Sequence, residues 1–216
     1  MKKKAFIFDL WNTLIIKNGQ RETDLVAEHF NLPRAEVHEW IRISSIGKNG
    51  KDKYKVFESL CLENDLEFKD SDRRFIDSLY NIYETEVAWV EGAEQLLKDI
   101  KAAGYLIGIL SNTTELSHRV LENLGIKDLA DSIVLSCDVG FLKPDPRIFQ
   151  IILEKLDIES NEAYMIGDKI TTDILGAKTV NIDTILYEPR MDNNKSLYNS
   201  SINGIINNMS KVLNFA

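Results

Sequence analysis

From residue 105 onward the chain alternates short apolar runs with amphipathic stretches, and few folds accept that rhythm. The runs are "YLIGIL" (105–110), "SIVLS" (132–136), "AYMIG" (163–167) and "TILY" (184–187). Between them, "TELSHRVLENLG" sets Leu116, Val120, Leu121 and Leu124 at helical spacing and closes on Gly125, a helix-ending glycine. "DPRIFQIILEKLDI" opens a helix with Pro146 in its first turn, and "TDILGAKTV" reads as a short helix. Strands that are apolar throughout and separated by helices pair in parallel, with helices covering both faces. With "FIFDL" near the start as its first strand, the chain is expected to form an α/β fold: a doubly wound parallel sheet.

The connection between the first two strands is far longer than a crossover needs. Apolar residues recur at helical spacing through "DLVAEHF", "PRAEVHEWIRI", "YKVFESLCLE" and "RRFIDSLYNIYETEVAWV". These stretches predict an inserted all-helical domain at 18–88, beside a core domain of 1–17 and 89–216. The helix of residues 92–103, opening on "GAEQLLKDIK", leads back to the sheet, and the tail after Pro189 reads as a loop followed by a terminal helix. With 216 residues, 44% of them hydrophobic, the chain can fill one large core and a smaller domain. A net charge of −8 argues against nucleic acid as a partner, and no apolar run is long enough to cross a bilayer. No signal-peptide pattern follows the opening lysines. Two distant cysteines, Cys61 and Cys137, fit a reducing cytoplasm. A monomer or a homodimer is expected.

Four stretches carry polar residues at strand ends or before a helix, the edge where open parallel sheets bind ligands. They are Asp9 after "FIF", Ser111-Asn112 after "YLIGIL", Lys143 in "FLKPDPRIF", and Asp168 with Asp173 in "IGDKITTD". Asp9 could act as a nucleophile that forms a covalent intermediate. Carboxylates gathered this closely need a cation at neutral pH, and Mg²⁺ takes hard oxygen ligands. Lys143 would offset accumulating negative charge, and Ser111 with neighbouring N–H groups would hold phosphate oxygens at a helix start.

The ordered set DxxxT, SN after a strand, KP before a helix, and GDxxxxD resembles the haloacid dehalogenase superfamily of hydrolases. The resemblance implies a Rossmann-like core, a helical cap and, for most members of this shape, Mg²⁺-dependent phosphatase activity on a small phosphorylated metabolite. It implies that Asp9 is the nucleophile and that Asp9, Asp168 and the Trp11 carbonyl are metal ligands, with Asp173 binding or supporting the metal. It also implies phosphate contacts from Ser111, Lys143 and Asn112, and a brace from Thr13.

One position departs from that pattern. Phosphatases of the superfamily usually carry a second Asp two residues after the first, which protonates the leaving group; here it is Trp11. An indole cannot transfer a proton near neutral pH, and losing acid–base help costs ~10²–10⁴ in rate. The sequence thus predicts intact metal binding with weakened turnover, favouring acyl or aryl phosphates. The alternatives are a metal-independent 2-haloacid dehalogenase, whose relatives carry an aromatic at this position, and a non-catalytic ligand-binding member. Asp168 and Ile170 stand where those dehalogenases usually carry a small polar residue and an Asn.

Plainer roles exist for the same residues. Ser111-Asn112 could cap a helix near Thr114, Asp173 could cap the helix after it, and Lys143 could be a solvated surface lysine. His29, His38 and His118 read as core or surface residues, Cys137 as a buried thiol, and Trp40 and Trp89 as helix packing. Arg42, Ser44, Ser45 and Lys48 could reach from the cap toward a substrate.

Overall fold

The computed structural model describes residues 2–46, 52–190 and 202–216. Lys48 and residues 191–201, within the tail expected to be a loop after Pro189, lie outside the described residues. The chain begins with β1 (Ala5–Phe8), every residue of which is fully buried. Strand β2 (Ile15–Lys17) precedes four helices: α1 (Glu22–Phe30), α2 (Arg34–Ser44), α3 (Lys53–Glu63) and α4 (Asp70–Thr85). Strand β3 (Val87–Trp89) then pairs antiparallel with β2. The rest runs α5 (Ala93–Ala102), β4 (Leu106–Ser111), α6 (Leu116–Asn123), α7 (Ile126–Leu129), β5 (Ser132–Leu135), α8 (Ser136–Val139), α9 (Pro146–Leu156), β6 (Ala163–Gly167), α10 (Leu175–Thr179), β7 (Asp183–Tyr187) and β8 (Gly204–Ile206).

Six strands form one parallel sheet in the order β5-β4-β1-β6-β7-β8. Strand β1 lies centrally because its alternating side chains serve both faces. Phe6 and Phe8 pack on one side with Leu96, Leu97 and Ile100 of α5. Ala5 and Ile7 pack on the other with Ile148, Phe149 and Ile152 of α9. From β1 the chain runs outward through β4 to β5, then crosses back to β6 on the other side of β1, so the C-terminal ends of β4, β1 and β6 flank a topological switch point. The doubly wound α/β expectation is met.

Three details differ from the sequence reading. The last insertion helix stops at Thr85, and Val87–Trp89 is a strand, which places Trp89 on the β2–β3 ribbon rather than on a helix. Short strands of this kind owe their pairing to a partner distant in sequence, and helical periodicity overwrote them. The turn before α10 is a π-helical segment, Ile170–Ile174, in which the Lys169 carbonyl accepts from the N–H groups of both Asp173 and Ile174. The tail supplies a strand, β8, which covers the edge of β7, and ends in a 3₁₀ segment, Met209–Phe215, rather than an α-helix. There Asn208 accepts from Ser210 N–H, the local side-chain bonding that favours caps and turns.

Gly176 of α10 lies against the Phe149 ring of α9, where a Cβ would approach Cε2 to 2.7 Å. This contact seats the segment carrying Asp173 against α9. Phe149 is fully buried, so Phe149→Ala is expected to cost ~3–5 kcal/mol, read as a lower urea midpoint with an unchanged m-value.

Candidate functional site

The residue that organises the site is Lys143, which is 3% exposed and lies in the loop between α8 and α9. An ammonium carries three protons, and each has an acceptor here. Lys143 Nζ donates to Asp9 Oδ1 at 2.6 Å and to the Leu110 carbonyl at 2.9 Å, and it pairs with Asp173 Oδ1 at 2.8 Å. The surface-lysine reading is therefore overturned. Asn112 fixes the backbone that delivers this side chain: its Oδ1 accepts from Lys143 N–H at 2.7 Å and its Nδ2 donates to the Lys143 carbonyl at 2.8 Å. The Lys143–Pro144 peptide is cis.

The loop after Asp9 is a tight turn. Leu14 and Ile15 N–H both donate to the Leu10 carbonyl, and Asn12 takes a positive φ of 62°. The turn brings fully buried Thr13 back so that its Oγ1 donates to Asp9 Oδ2 at 3.3 Å. Trp11 points away from this carboxylate. Its Nε1–H lies 3.1 Å from Thr113 Oγ1 and 3.1 Å from Ser117 Oγ, and its ring meets Tyr83 of α4 edge-on at 5.8 Å.

Asp168 follows β6 directly, and Asp173 projects from the π turn. Asp173 Oδ2 accepts from Lys169 N–H at 3.0 Å, so the carboxylate points back toward the sheet and does not cap the helix after it. Gly167 is required here, because any Cβ at that position would overlap the Asp173 carboxylate. Asp9, Asp168 and Asp173 each bring one carboxylate oxygen within 4.8 Å of the others. Three carboxylates against one ammonium leave excess negative charge in a buried place. Burial pushes the Asp9 carboxyl up, to about 6, against the pull of Lys143 and with the push of Asp173. Burial also raises Asp168, helped by the Asp173 charge.

Two buried polar atoms have no hydrogen-bond partner among the described residues of the site: Asp168 Oδ1 and Ser111 Oγ. A buried orphan acceptor in a triple-carboxylate cluster is where a hard divalent cation fits, and all the donors are oxygens. Ser111 lies at the end of β4, but α6 begins only at Leu116 with Glu115 before it, so Ser111 and Asn112 cap no helix there. The site thus brings together Asp9, Ser111, Lys143, Asp168 and Asp173, with Asn112 and Thr13 as braces.

The insertion residues expected to reach toward a substrate divide. Arg42 pairs with Glu39 on the surface, Ser45 Oγ donates to the Ile41 carbonyl, and Ser44 is buried. Cys137 is half-buried in α8, whereas Cys61 is the buried thiol. Trp40 is buried against Phe57, as packing requires. His29 pairs with Asp72 and His118 with Asp138. No helix among the described residues is long and apolar enough to cross a membrane.

The sequence model of haloacid dehalogenase-like hydrolases matches residues 3–181. A ribulose-1,5-bisphosphate 5-phosphatase of Halopiger xanaduensis is 34% identical over 114 residues, which is 52% of this chain and 48% of that protein. The chain therefore spans about half the length of the curated relative it matches. Among solved structures, the HAD phosphatase of Thermococcus onnurineus superposes with a TM-score of 0.68 at 21% identity, over 98% of this chain and 96% of that one. A 2-haloacid dehalogenase of Pseudomonas syringae pv. Tomato DC3000 gives 0.69 at 20%, over 99% and 97%. These two share the fold.

Because its folded-state pKa is raised, Asp9 favours the folded state most when protonated. That contribution is full below the ordinary carboxylate range and is lost as pH rises through about 6. Replacing Lys143 removes the charge that opposes burial at Asp9, where Asp173 and Asp168 both push the same way as burial. Lys143→Met is expected to cost ~3–5 kcal/mol near neutral pH, by leaving buried carboxylates without their ammonium. In chelator, urea unfolding should show a larger deficit at about pH 8 than at about pH 5, where the carboxyls regain protons. An equal deficit at both would contradict the charge account.

Proposed function

The chain belongs to the haloacid dehalogenase-like hydrolases, and from that premise we propose that it is a Mg²⁺-dependent phosphatase of a small phosphorylated metabolite. The observation that carries this reading is Lys143, bonded at once to Asp9 and Asp173 beside an Asp168 oxygen that lacks a partner. Asp9 attacks the phosphorus through a carboxylate oxygen, the leaving-group oxygen departs, and an aspartyl-phosphate forms on Asp9. Water then cleaves it and restores the carboxylate. Ser111 Oγ, buried and without another partner, donates to a phosphoryl oxygen. Lys143 holds Asp9 in its attacking position and balances charge as the phosphate arrives.

Asp9, Asp168 and the Trp11 carbonyl would hold the metal, with Asp173 supporting it through Lys143 and the Lys169 N–H. Mg²⁺ bound there would supply a Lewis acid that neutralises phosphate charge and fixes its orientation. Residues 18–88 would act as a cap over the core formed by 1–17 and 89–216. The relative named for ribulose-1,5-bisphosphate fits a small phosphorylated substrate.

A second reading, halide displacement by Asp9, draws on the aromatic at position 11 and on the dehalogenase of like fold. The three clustered carboxylates weigh against it, since a metal-free reaction gains nothing from them.

p-Nitrophenyl phosphate hydrolysis is expected to require Mg²⁺, to cease in chelator, and to fall to background in Asp9→Asn. Equal rates in wild type and Asp9→Asn would contradict the proposal. Halide release from haloacetates without Mg²⁺ would favour the second reading.

A further inference from the structure

Trp11 stands where a leaving-group proton donor is expected, and the indole N–H is occupied by Thr113 and Ser117. A cavity of about 580 Å³ opens beside it, between the insertion and the sheet, with Trp11, Glu22, Tyr83, Asn112, Thr113 and Ser117 among its lining. It borders the nucleophile loop through Trp11 and the Lys143 clamp through Asn112. Glu22, the first residue of α1, is half-buried and reachable from this space. Tyr83 ties it to Trp11: the Tyr83 ring meets the indole edge-on, and its hydroxyl donates to Glu22 Oε2 at 3.4 Å.

We propose that Glu22 is the general acid that protonates the leaving group in place of the residue Trp11 displaces, a role that rests on the phosphatase reading above.

Lys17, Arg21 and Lys169 line the same cavity, and among the described residues Glu22 has no ion pair with any of them. Lys17 of β2 is spent on Glu86 and on the Asn18 and Gln20 carbonyls. Glu115, before α6, is a second carboxylate and is held by the Tyr80 hydroxyl of α4. Burial, then the Glu115 charge, raises Glu22 to about 7, against weaker pulls from Tyr83 and Lys17. A carboxylic acid that keeps its proton near neutral pH is what general acid catalysis needs. The two phenols do not compete, because burial and nearby glutamates push both hydroxyls above their ordinary range.

In the first step the Asp9–phosphorus bond forms, the bond from phosphorus to the leaving oxygen breaks, and the Glu22 proton passes to that oxygen. In the second step water adds to phosphorus, its proton goes to the Glu22 carboxylate, and the Asp9–phosphorus bond breaks. Both residues return to their starting states.

The test compares an alkyl phosphate, whose alkoxide must be protonated to leave, with p-nitrophenyl phosphate, whose phenolate need not be. In Glu22→Gln the alkyl-to-aryl ratio of kcat/KM should fall by ~10²–10⁴. The wild-type alkyl profile should decline above about pH 7, as Glu22 loses its proton, and Glu22→Gln should lack that limb. An unchanged ratio, parallel loss on both substrates, or a ratio that moves instead in His38→Gln, another ionisable residue lining the cavity, would overturn the Glu22 assignment alone. Absence in wild type of any hydrolysis that Asp9→Asn removes would overturn the phosphatase reading, and this inference with it.

Discussion

The site depends on a single buried ammonium. Lys143 gathers Asp9 from the end of β1, a carbonyl from β4 and Asp173 from the π turn after β6, so three strand ends are held by one group. A fully buried charge is tolerable only when paired and hydrogen-bonded, and all three Lys143 protons are placed. The consequence is steric as well as electrostatic. Asn112 must grip the Lys143 backbone, Thr13 must return to Asp9, and position 167 must lack a Cβ so that Asp173 can approach. The clamp leaves Asp168 as the acidic group with an oxygen to spare, which defines where a further cation would complete the balance.

Much of this was legible in the sequence, because the strands that matter are short and apolar and end in polar residues. "FIFD", "YLIGILSN" and "AYMIGD" each announce a buried strand delivering a functional group to one edge. What stayed hidden depends on partners far along the chain. Ile15–Lys17 is a strand only because Val87–Trp89 lies beside it, and Gly204–Ile206 only because β7 offers an open edge. The π turn follows from Asp173 bonding backward to Lys169, which no helical period signals. Asn112 reads as a phosphate contact in sequence but spends both amide atoms on Lys143, 31 residues away. Glu22 looks like an ordinary acidic residue in a first helical turn, and its setting comes from Tyr83 and Glu115, both distant in sequence.

Trp11 changes meaning in this light. In sequence it marks a missing proton donor. In the fold its N–H reaches the loop after β4 and its ring meets α4, so it links the core to the insertion across the cleft. Tyr83 also bonds Glu22 at the cavity wall, so α1 and α4 of the insertion both reach the Trp11 contact. The π turn brings Asp173 to the Asp9 carboxylate, a local departure from regular structure of the kind found at functional sites.

The central claim is that a divalent cation completes the carboxylate cluster that Lys143 assembles. A crystal structure of the wild-type protein at saturating Mg²⁺ tests it most directly. The account predicts one ion bonded to Asp9 and Asp168, with Asp168 Oδ1 taking it up and Lys143 still bonded to Asp9 and Asp173. A cluster that stays empty at saturating Mg²⁺, with Asp168 satisfied by protein or water alone, would contradict it.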